Sequence, residues 1–190
     1  MNFFILSLIV GAAWARGTVP PQAIVPGHCP SFNPMTDFTV EYYLGKWYEI
    51  ARFPMPYETG QTCNYAEYSD RGDGTAGVHN AGLDANGNLV EIFGFVEPTS
   101  QQGTLALHLE GVPFVGTYNV LDTDYDSYAA VYSCQEFLGV GHIDQAWILG
   151  REKTLTLEEM VVALNAFDTW GIDTKKFIKT MQEPCEFPQE

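Results

Sequence analysis

Four cysteines are the side chains of this chain most able to form covalent cross-links, and they are Cys29, Cys63, Cys134 and Cys185. An even number favours two disulfide bonds if the chain is exported to an oxidising compartment, and the residues alone leave three pairings open. No two of them have the Cys-x-x-Cys spacing used by zinc sites and thioredoxin-like sites. We therefore predict a structural role for the cysteines.

Two acidic segments, 84–88 and 122–126, begin with the spacing of a calcium-binding EF-hand loop. Neither segment has Gly at the sixth position of such a loop. The twelfth residues are Phe95 and Ser133, where the loop needs a bidentate carboxylate. We interpret both segments as turns and predict no metal site.

The histidines are scattered, and a single one that faced an enclosed interior would be able to hold haem iron; they are His28, His79, His108 and His142. Alternation along a strand turns His108 toward water if Leu105, Leu107 and Leu109 face inward. The sequence leaves the side of His79 open. No set of Ser, His and Asp and no pair of carboxylates indicates a catalytic centre, so we predict that the protein is not an enzyme.

Aromatic residues make up 14% of the chain and are better candidates for holding a ligand. Tyrosine is costly to bury without a hydrogen-bond partner, so several inward tyrosines would offer polar contacts in an apolar pocket. The predicted ligand contacts are Phe53, Tyr57, Tyr65, Tyr118, Tyr128 and Tyr132. We expect Tyr118 to face inward with Val120, and Tyr128 with Ala130 and Tyr132, because each set combines large and small side chains. A filled core is the alternative explanation of these residues.

Eight short segments of strand-like composition, separated by turn residues, have to position these side chains. They are 45–53, 62–69, 75–83, 89–96, 104–110, 115–123, 127–136 and 144–151. Consecutive antiparallel strands that close into a barrel leave no free edge and enclose room for one small ligand. We predict an all-β fold, an eight-stranded antiparallel up-and-down β-barrel.

The pattern changes to a helical period after the eighth segment and predicts one α-helix over about residues 156–169. Thr154 or Thr156 is a suitable N-cap, two glutamates suit the first turn, and Gly171 ends the helix. Apolar side chains follow at spacings of three and four, so this C-terminal helix is expected to pack on the outside of the barrel. Segment 174–181 is a candidate for a last strand.

The length of 190 residues fits one domain, which we place at 35–185. A Pro- and Gly-rich extended arm at 18–34 precedes it, and a tail at 186–190 follows. An apolar run that ends in Ala13-Trp14-Ala15 predicts a signal peptide over 1–15, with cleavage after Ala15 or Gly17. No Lys or Arg precedes that run, and an N-terminal membrane anchor is the competing interpretation.

The formal net charge is −15, from 9 basic and 24 acidic residues. A surface of this charge repels nucleic-acid phosphates and anionic lipids, so we predict no nucleic-acid partner. No later run is long and apolar enough to predict insertion into a membrane. With the leader segment, these features predict a secreted, extracellular protein.

Three short motifs in order along the chain resemble the signatures of the lipocalins. Gly45-Lys46-Trp47 is similar to the first signature, Thr123-Asp124-Tyr125 to the second, and Arg151 after Trp147-Ile148-Leu149-Gly150 to the third. The segment 25–30, Val-Pro-Gly-His-Cys-Pro, resembles the N-terminal arm of the branch that contains apolipoprotein D, insecticyanin and the crustacyanins. The likeness extends over about residues 25–185.

The resemblance implies structural roles for these signature residues. Trp47, which follows Gly45, would close the floor of the barrel with Arg151 stacked across it, and Thr123-Asp124-Tyr125 would form a turn at the same closed end. The resemblance also implies a pairing of the cysteines, Cys29 with Cys134 and Cys63 with Cys185.

The function implied by the resemblance is that of a non-catalytic carrier of a small hydrophobic ligand, either a bilin, a carotenoid or other isoprenoid, or a fatty-acid-like lipid. No cofactor is required, although a bound chromophore is an option. One rival is a lipid-modifying enzyme of this fold, which would need a free cysteine inside the barrel. Another is an extracellular interaction module whose barrel is filled.

The same resemblance raises the prospect of a homo- or hetero-oligomer, because a carotenoid ligand would imply the assemblies of crustacyanins. The apolar residues at the rim are candidate contacts for such an assembly, and they could equally gate the ligand; they are Phe114, Val115, Phe137 and Leu138.

Overall fold

Eight consecutive antiparallel strands form a closed barrel in the computed structural model, which describes residues 24–137 and 140–188. The strands are β1 (Gly45–Arg52), β2 (Thr62–Asp70), β3 (Ala76–Leu83), β4 (Leu89–Pro98), β5 (Thr104–Leu109), β6 (Gly116–Thr123), β7 (Tyr128–Phe137) and β8 (Gly141–Gly150). Each strand pairs with the next, and β1 pairs with both β2 and β8. The barrel therefore has no free edge between its first and last strands.

A 12-residue helix, α2 (Leu157–Asp168), lies outside the barrel against β6 and β7. Of the two candidate caps, Thr156 is the N-cap: its hydroxyl accepts a hydrogen bond from the Glu159 N–H, and the Glu159 carboxylate accepts one from the Thr156 N–H. This reciprocal pair satisfies two of the unpaired donors at the helix start. Ala163 and Phe167 are fully buried against the barrel wall. The predicted barrel with one outer C-terminal helix is confirmed.

Two features at the ends of the barrel differ from the sequence prediction. A four-residue helix, α1 (Val40–Tyr43), precedes β1 and was not predicted. The candidate last strand at 174–181 shrinks to a 3-10 turn (Thr174–Lys176) and a two-residue strand, β9 (Ile178–Lys179), which pairs with the end of β1.

A break in strand register changes which side chains of β1 face inward. The pairing of β1 with β8 shifts between Glu49 and Ala51. Because one extra residue is accommodated there, Glu49 and Arg52 lie on the same side of the strand, and the Arg52 guanidinium reaches the Glu49 carboxylate at 2.8 Å.

Two disulfide bonds attach the terminal segments to the barrel. Cys29 in the N-terminal arm is bonded to Cys134 of β7, and Cys63 of β2 is bonded to Cys185, which is the pairing that the resemblance implies. The bonds close loops with sequence separations of 105 and 122 residues. Loops of that length are worth about 4 to 5 kcal/mol each in the chain-entropy model.

The predicted signal peptide at 1–15 and its cleavage site lie outside the described residues. Within 24–137 and 140–188, no helix combines the length and the hydrophobicity needed to cross a bilayer. The described part of the N-terminal arm is held to the barrel near residue 142, since Val25 and His142 exchange two backbone hydrogen bonds of 2.8 Å.

Candidate ligand-binding site

One end of the barrel is closed by Trp47 and Arg151. The Trp47 side chain is fully buried, and the Arg151 guanidinium carbon lies 3.7 Å from the centre of its ring. Arg151 also donates hydrogen bonds to the backbone oxygens of Tyr125, Lys46 and Tyr42 at 2.8, 3.1 and 3.1 Å. A shielded cation–π contact of this kind is worth about 1 to 2 kcal/mol, and the three carbonyls accept from three of the five guanidinium N–H groups.

The turn between β6 and β7 holds one of those carbonyls in place. Tyr125 adopts a left-handed backbone conformation with φ of 68°. The Asp124 carboxylate accepts hydrogen bonds from the Ser127 hydroxyl and from three backbone N–H groups. Partial burial on its own would raise the pKa of Asp124, but these hydrogen bonds outweigh it and hold the pKa below its usual range. The turn is thus fixed by an ionised carboxylate at neutral pH.

Three buried tyrosines form the layer above this floor. Tyr43 of α1 stacks on Trp47 with ring centres 4.9 Å apart, and its hydroxyl lies 2.8 Å from that of Tyr118. Tyr68 packs against both phenol rings. Burial raises the pKa of all three phenols above their ordinary value, so this layer carries no charge.

A cavity of about 500 Å³ lies between the tyrosine layer and the open end of the barrel. Alternate residues of the strands line it with mostly apolar side chains: Ala66, Val78, Val90, Ile92, Leu107, Leu109, Trp147 and Leu149. The loops after β1 and β5 border its mouth, where Phe114 is 63% exposed. A pocket of this size, apolar and open at one end, suits a small hydrophobic molecule.

Near the mouth, one wall of the cavity is polar: Glu49 and Glu58 line it, and Arg52 lies buried behind them. Arg52 Nη1 donates to Glu49 Oε1 at 2.8 Å and to the Thr180 hydroxyl at 2.9 Å. Arg52 Nη2 donates to the Glu58 backbone oxygen at 2.6 Å, and Arg52 Nε lies 3.1 Å from Glu58 Oε2. Two carboxylates therefore share one guanidinium.

This arrangement shifts the ionisation of both carboxyl groups. Burial, and after it the charge of Glu49, raises the pKa of Glu58 to about 8 against the opposing effect of Arg52. Burial also raises the pKa of Glu49, which Arg52 and Thr180 partly offset. Glu58 is the group more ready to take up a proton at neutral pH.

The predicted ligand contacts divide into two groups. Tyr118 lines the cavity and belongs with Val120 to the inner core cluster, which is the expected inward face of β6. Tyr57 and Tyr65 border the cavity, although the Tyr65 ring lies against the Lys46 ammonium, 4.1 Å away, and against His79 on the outer side of the wall.

The inward orientation expected for Tyr128 and Tyr132 is wrong, and Phe53 also lies outside the cavity. All three belong to the cluster between the barrel wall and α2. Tyr132 packs edge-on against Phe32 with ring centres 5.2 Å apart, and the Tyr128 hydroxyl donates to Asp122 at 2.7 Å. The opposite set of β7 residues faces inward, including Val131. The reason is that α2 covers β7, so both faces of this strand need apolar side chains.

The histidines on β3 and β5 face the outside of the barrel. His79 lies 3.0 Å from Glu91 and is stacked on Phe93, and His108 has the corresponding partners Glu97 and Phe95. Leu107 and Leu109 face inward, so alternation places His108 as expected. In the described ranges no group of three or more potential metal ligands is present.

The polar wall is the part of the site that sequence reasoning missed. Glu58 lies in a loop and Glu49 is one of many acidic residues, so neither stood out in the sequence. The available signal was the pair of opposite charges, Glu49 and Arg52, in the second half of β1, but its meaning depends on the register shift that brings both side chains to one face.

Comparison with known proteins agrees with this architecture. The model of the lipocalin-like domain matches residues 38–182. Apolipoprotein D of Cavia porcellus is 36% identical over 191 residues, which cover 97% of each chain, and insecticyanin-B of Manduca sexta is 30% identical over 198 residues, covering 98% of this chain and 93% of the relative. The solved structure of lobster apocrustacyanin A1 has a TM-score of 0.74 at 28% identity and covers 87% of this chain and 93% of its own. This chain belongs to the lipocalin-like family.

Proposed function

We propose that this protein is a secreted carrier that binds a small hydrophobic molecule in its barrel and releases it chemically unchanged. The observation that supports this most directly is the apolar cavity of about 500 Å³, closed at the floor and open at the mouth. Burial of roughly 400 Å² of an apolar ligand contributes on the order of 10 kcal/mol before the costs of association. That leaves enough for sub-micromolar binding.

The proposed carrier role without turnover is supported by the state of the cysteines. All four are in disulfide bonds, so the barrel offers no thiol nucleophile of the kind that a lipid-modifying enzyme of this fold would use. Secretion is supported by the two disulfides and by the leader-like segment at 1–15. The lipocalin resemblance suggests a bilin, a carotenoid or other isoprenoid, or a fatty-acid-like lipid as the ligand.

A neutral environment-sensitive dye, N-phenyl-1-naphthylamine, tests the binding site. The wild-type protein is expected to enhance the fluorescence of the dye, and Leu109→Trp is expected to abolish the enhancement because Leu109 lines the cavity. Leu157→Trp, on the exposed face of α2, is the matched control and should bind as the wild type does. A folded wild-type protein that excludes the dye would instead support an interaction module with a filled barrel.

The ligand itself can be identified from the protein purified from its natural source. Visible absorbance would indicate a bilin or a carotenoid, and the mass of the extracted molecule would name the class of a colourless lipid. A carotenoid would favour the oligomer proposal, for which the exposed side chains of Phe114, Val115 and Phe137 are candidate contacts. Sedimentation with and without ligand tests it, and a monomer in both states would exclude such an assembly.

A further inference from the structure

The polar wall of the cavity presents oxygen atoms that have no hydrogen-bond donor. Glu58 Oε2, Asn64 Oδ1 and Asn80 Oδ1 are buried, make no hydrogen bond, and belong to residues that line the same cavity. Buried acceptors in proteins are nearly always paired, with another protein group, with water or with a ligand. The two amide oxygens lack a donor altogether, whereas the Glu58 carboxyl lies 3.1 Å from Arg52 Nε and also interacts with the Trp147 side chain, so Asn64 and Asn80 carry the argument.

The orientation of the Asn64 amide follows from its neighbours. Gln61 Nε2 donates to the Tyr57 backbone oxygen at 2.8 Å, which turns Gln61 Oε1 toward Asn64. Asn64 Nδ2 donates to Gln61 Oε1 at 3.0 Å. The unpaired atom of Asn64 is therefore its oxygen, and the residue is 8% exposed.

The cation on this wall is already committed to the protein. Arg52 Nη1 serves Glu49 and Thr180, and Arg52 Nη2 serves the backbone of Glu58. Arg52 Nε lies 3.1 Å from Glu58 Oε2, but its N–H does not point at that oxygen. The two atoms therefore form an ion pair without a hydrogen bond. The described residues that line the cavity include no Lys, Arg or His. A ligand carboxylate here would add a third acidic group beside one guanidinium, in a protein whose net charge is −15.

We infer that the cavity selects a neutral hydrophobic ligand with a hydrogen-bond donor at its polar end, a hydroxyl or N–H group, and discriminates against the corresponding carboxylate. The inference rests on the proposed carrier function and narrows its ligand class. A donor would satisfy oxygens that the protein leaves unpaired, whereas a carboxylate brings two more acceptors and a charge. Among the candidate ligands, it favours an isoprenoid alcohol over an ionised fatty acid.

Three ligands with the same twelve-carbon chain separate the effect of a hydrogen-bond donor on affinity from the effect of a negative charge. They are dodecan-1-ol, methyl dodecanoate and dodecanoate. Each displaces N-phenyl-1-naphthylamine at pH 9, above the pKa of about 8 that burial and Glu49 give to Glu58. The alcohol is expected to bind tighter than dodecanoate by about tenfold or more, with the ester between them. Equal binding of alcohol and dodecanoate, tighter binding of dodecanoate, or no displacement by the alcohol would each overturn the inference.

Two variants test which residues cause the preference. Asn64→Leu should reduce the advantage of the alcohol over the ester, and Glu58→Gln should reduce the penalty on dodecanoate. Glu97→Gln makes the same charge change on the outer wall beside His108 and should leave all three affinities unchanged. The dye separates the two proposals, because a wild-type protein that binds it without the alcohol preference keeps the carrier function, and one that excludes it loses both.

Discussion

Each end of the barrel is held by an arginine, and the two arginines have opposite kinds of partners. Arg151 at the floor lies on the Trp47 ring and donates to three backbone carbonyls. Arg52 near the mouth is 4% exposed and faces the carboxylates of Glu49 and Glu58. The partners of Arg151 are neutral at every pH, whereas those of Arg52 titrate.

The two ends of the barrel have different tasks, and the partners of their arginines differ accordingly. The floor is a permanent closure, and because the direct partners of Arg151 are neutral, its contacts there do not change between pH 5 and pH 8. The mouth wall keeps two carboxylates and one guanidinium in a place from which water is largely excluded, which is costly unless the charges match. With both carboxyl groups ionised the wall would carry one negative charge in excess, so Glu58 keeps its proton up to a pKa of about 8, and the wall is expected to respond to pH and to the polar group of a ligand.

The largest effect is expected from Arg52→Met. This substitution leaves Glu49 and Glu58 buried without their cation, and we expect it to lower the free energy of unfolding by about 3 to 5 kcal/mol at pH 8. The loss should be roughly half or less at pH 5, where carboxyl groups with raised pKa values bind protons and become neutral. Urea unfolding at the two pH values measures it, and an equal loss at both would contradict the assignment.

Arg151→Met should cost less, about 2 to 3 kcal/mol, through the lost contact with Trp47 and the three carbonyls left to water. The loss should be the same at pH 5 and pH 8, because none of these partners titrates in that range. The same urea experiment provides the comparison. A strong pH dependence of the Arg151→Met loss would remove the contrast between the two ends.

The wild-type protein should lose stability as the pH rises from about 4.5 to about 8. The lower limit is the ordinary pKa of a glutamate, and the upper limit is the pKa of Glu58 in the folded state. In that range the folded state holds a proton that the unfolded state has released, so the slope is negative and at most about 1.4 kcal/mol per pH unit. Glu58→Gln should flatten the slope over this range. Glu97→Gln is the control, and a slope unchanged by Glu58→Gln would show that another group carries the proton.

The smallest effect is expected from Gly45→Ala at the floor. Gly45 has φ of +95°, and an added Cβ would lie 3.3 Å from Arg151 Nη1. We expect a loss of about 1 kcal/mol from the backbone conformation and the crowding together. Gly72→Ala, at φ of +75° in an open turn with no atom within 4 Å of the new Cβ, measures the backbone part alone. Equal losses in the two variants would show that the contact with Arg151 tolerates a methyl group.

The floor was predictable because its residues are recognisable in the linear sequence. Trp47 follows Gly45 at the start of a strand, and Arg151 comes directly after the last strand of the barrel, so the resemblance identified both together. The tyrosine layer was partly predictable: Tyr118 alternates with Val120 on an inner face, but α1 was too short for a helical period to show.

The polar wall of the cavity and the inward face of β7 were not predictable, for two physical reasons. Alternation gives no direction where both faces of a strand are apolar, which is the situation of Tyr128 and Tyr132 beneath α2. The charged wall depends on a one-residue register shift in β1, and a shift of that kind reverses the facing of every later residue in the strand. The facing of β7 leaves no mark in composition or spacing, and the pair Glu49 and Arg52 can be interpreted only once the register shift is known.

The two disulfides have a consequence for the integrity of the chain. The spans 29–134 and 63–185 overlap, so a single cut of the backbone at any point between Cys29 and Cys185 leaves the two pieces covalently joined. A protease that opens one exposed loop therefore cannot separate the barrel into fragments. A chain nicked once in this range would remain one covalent unit.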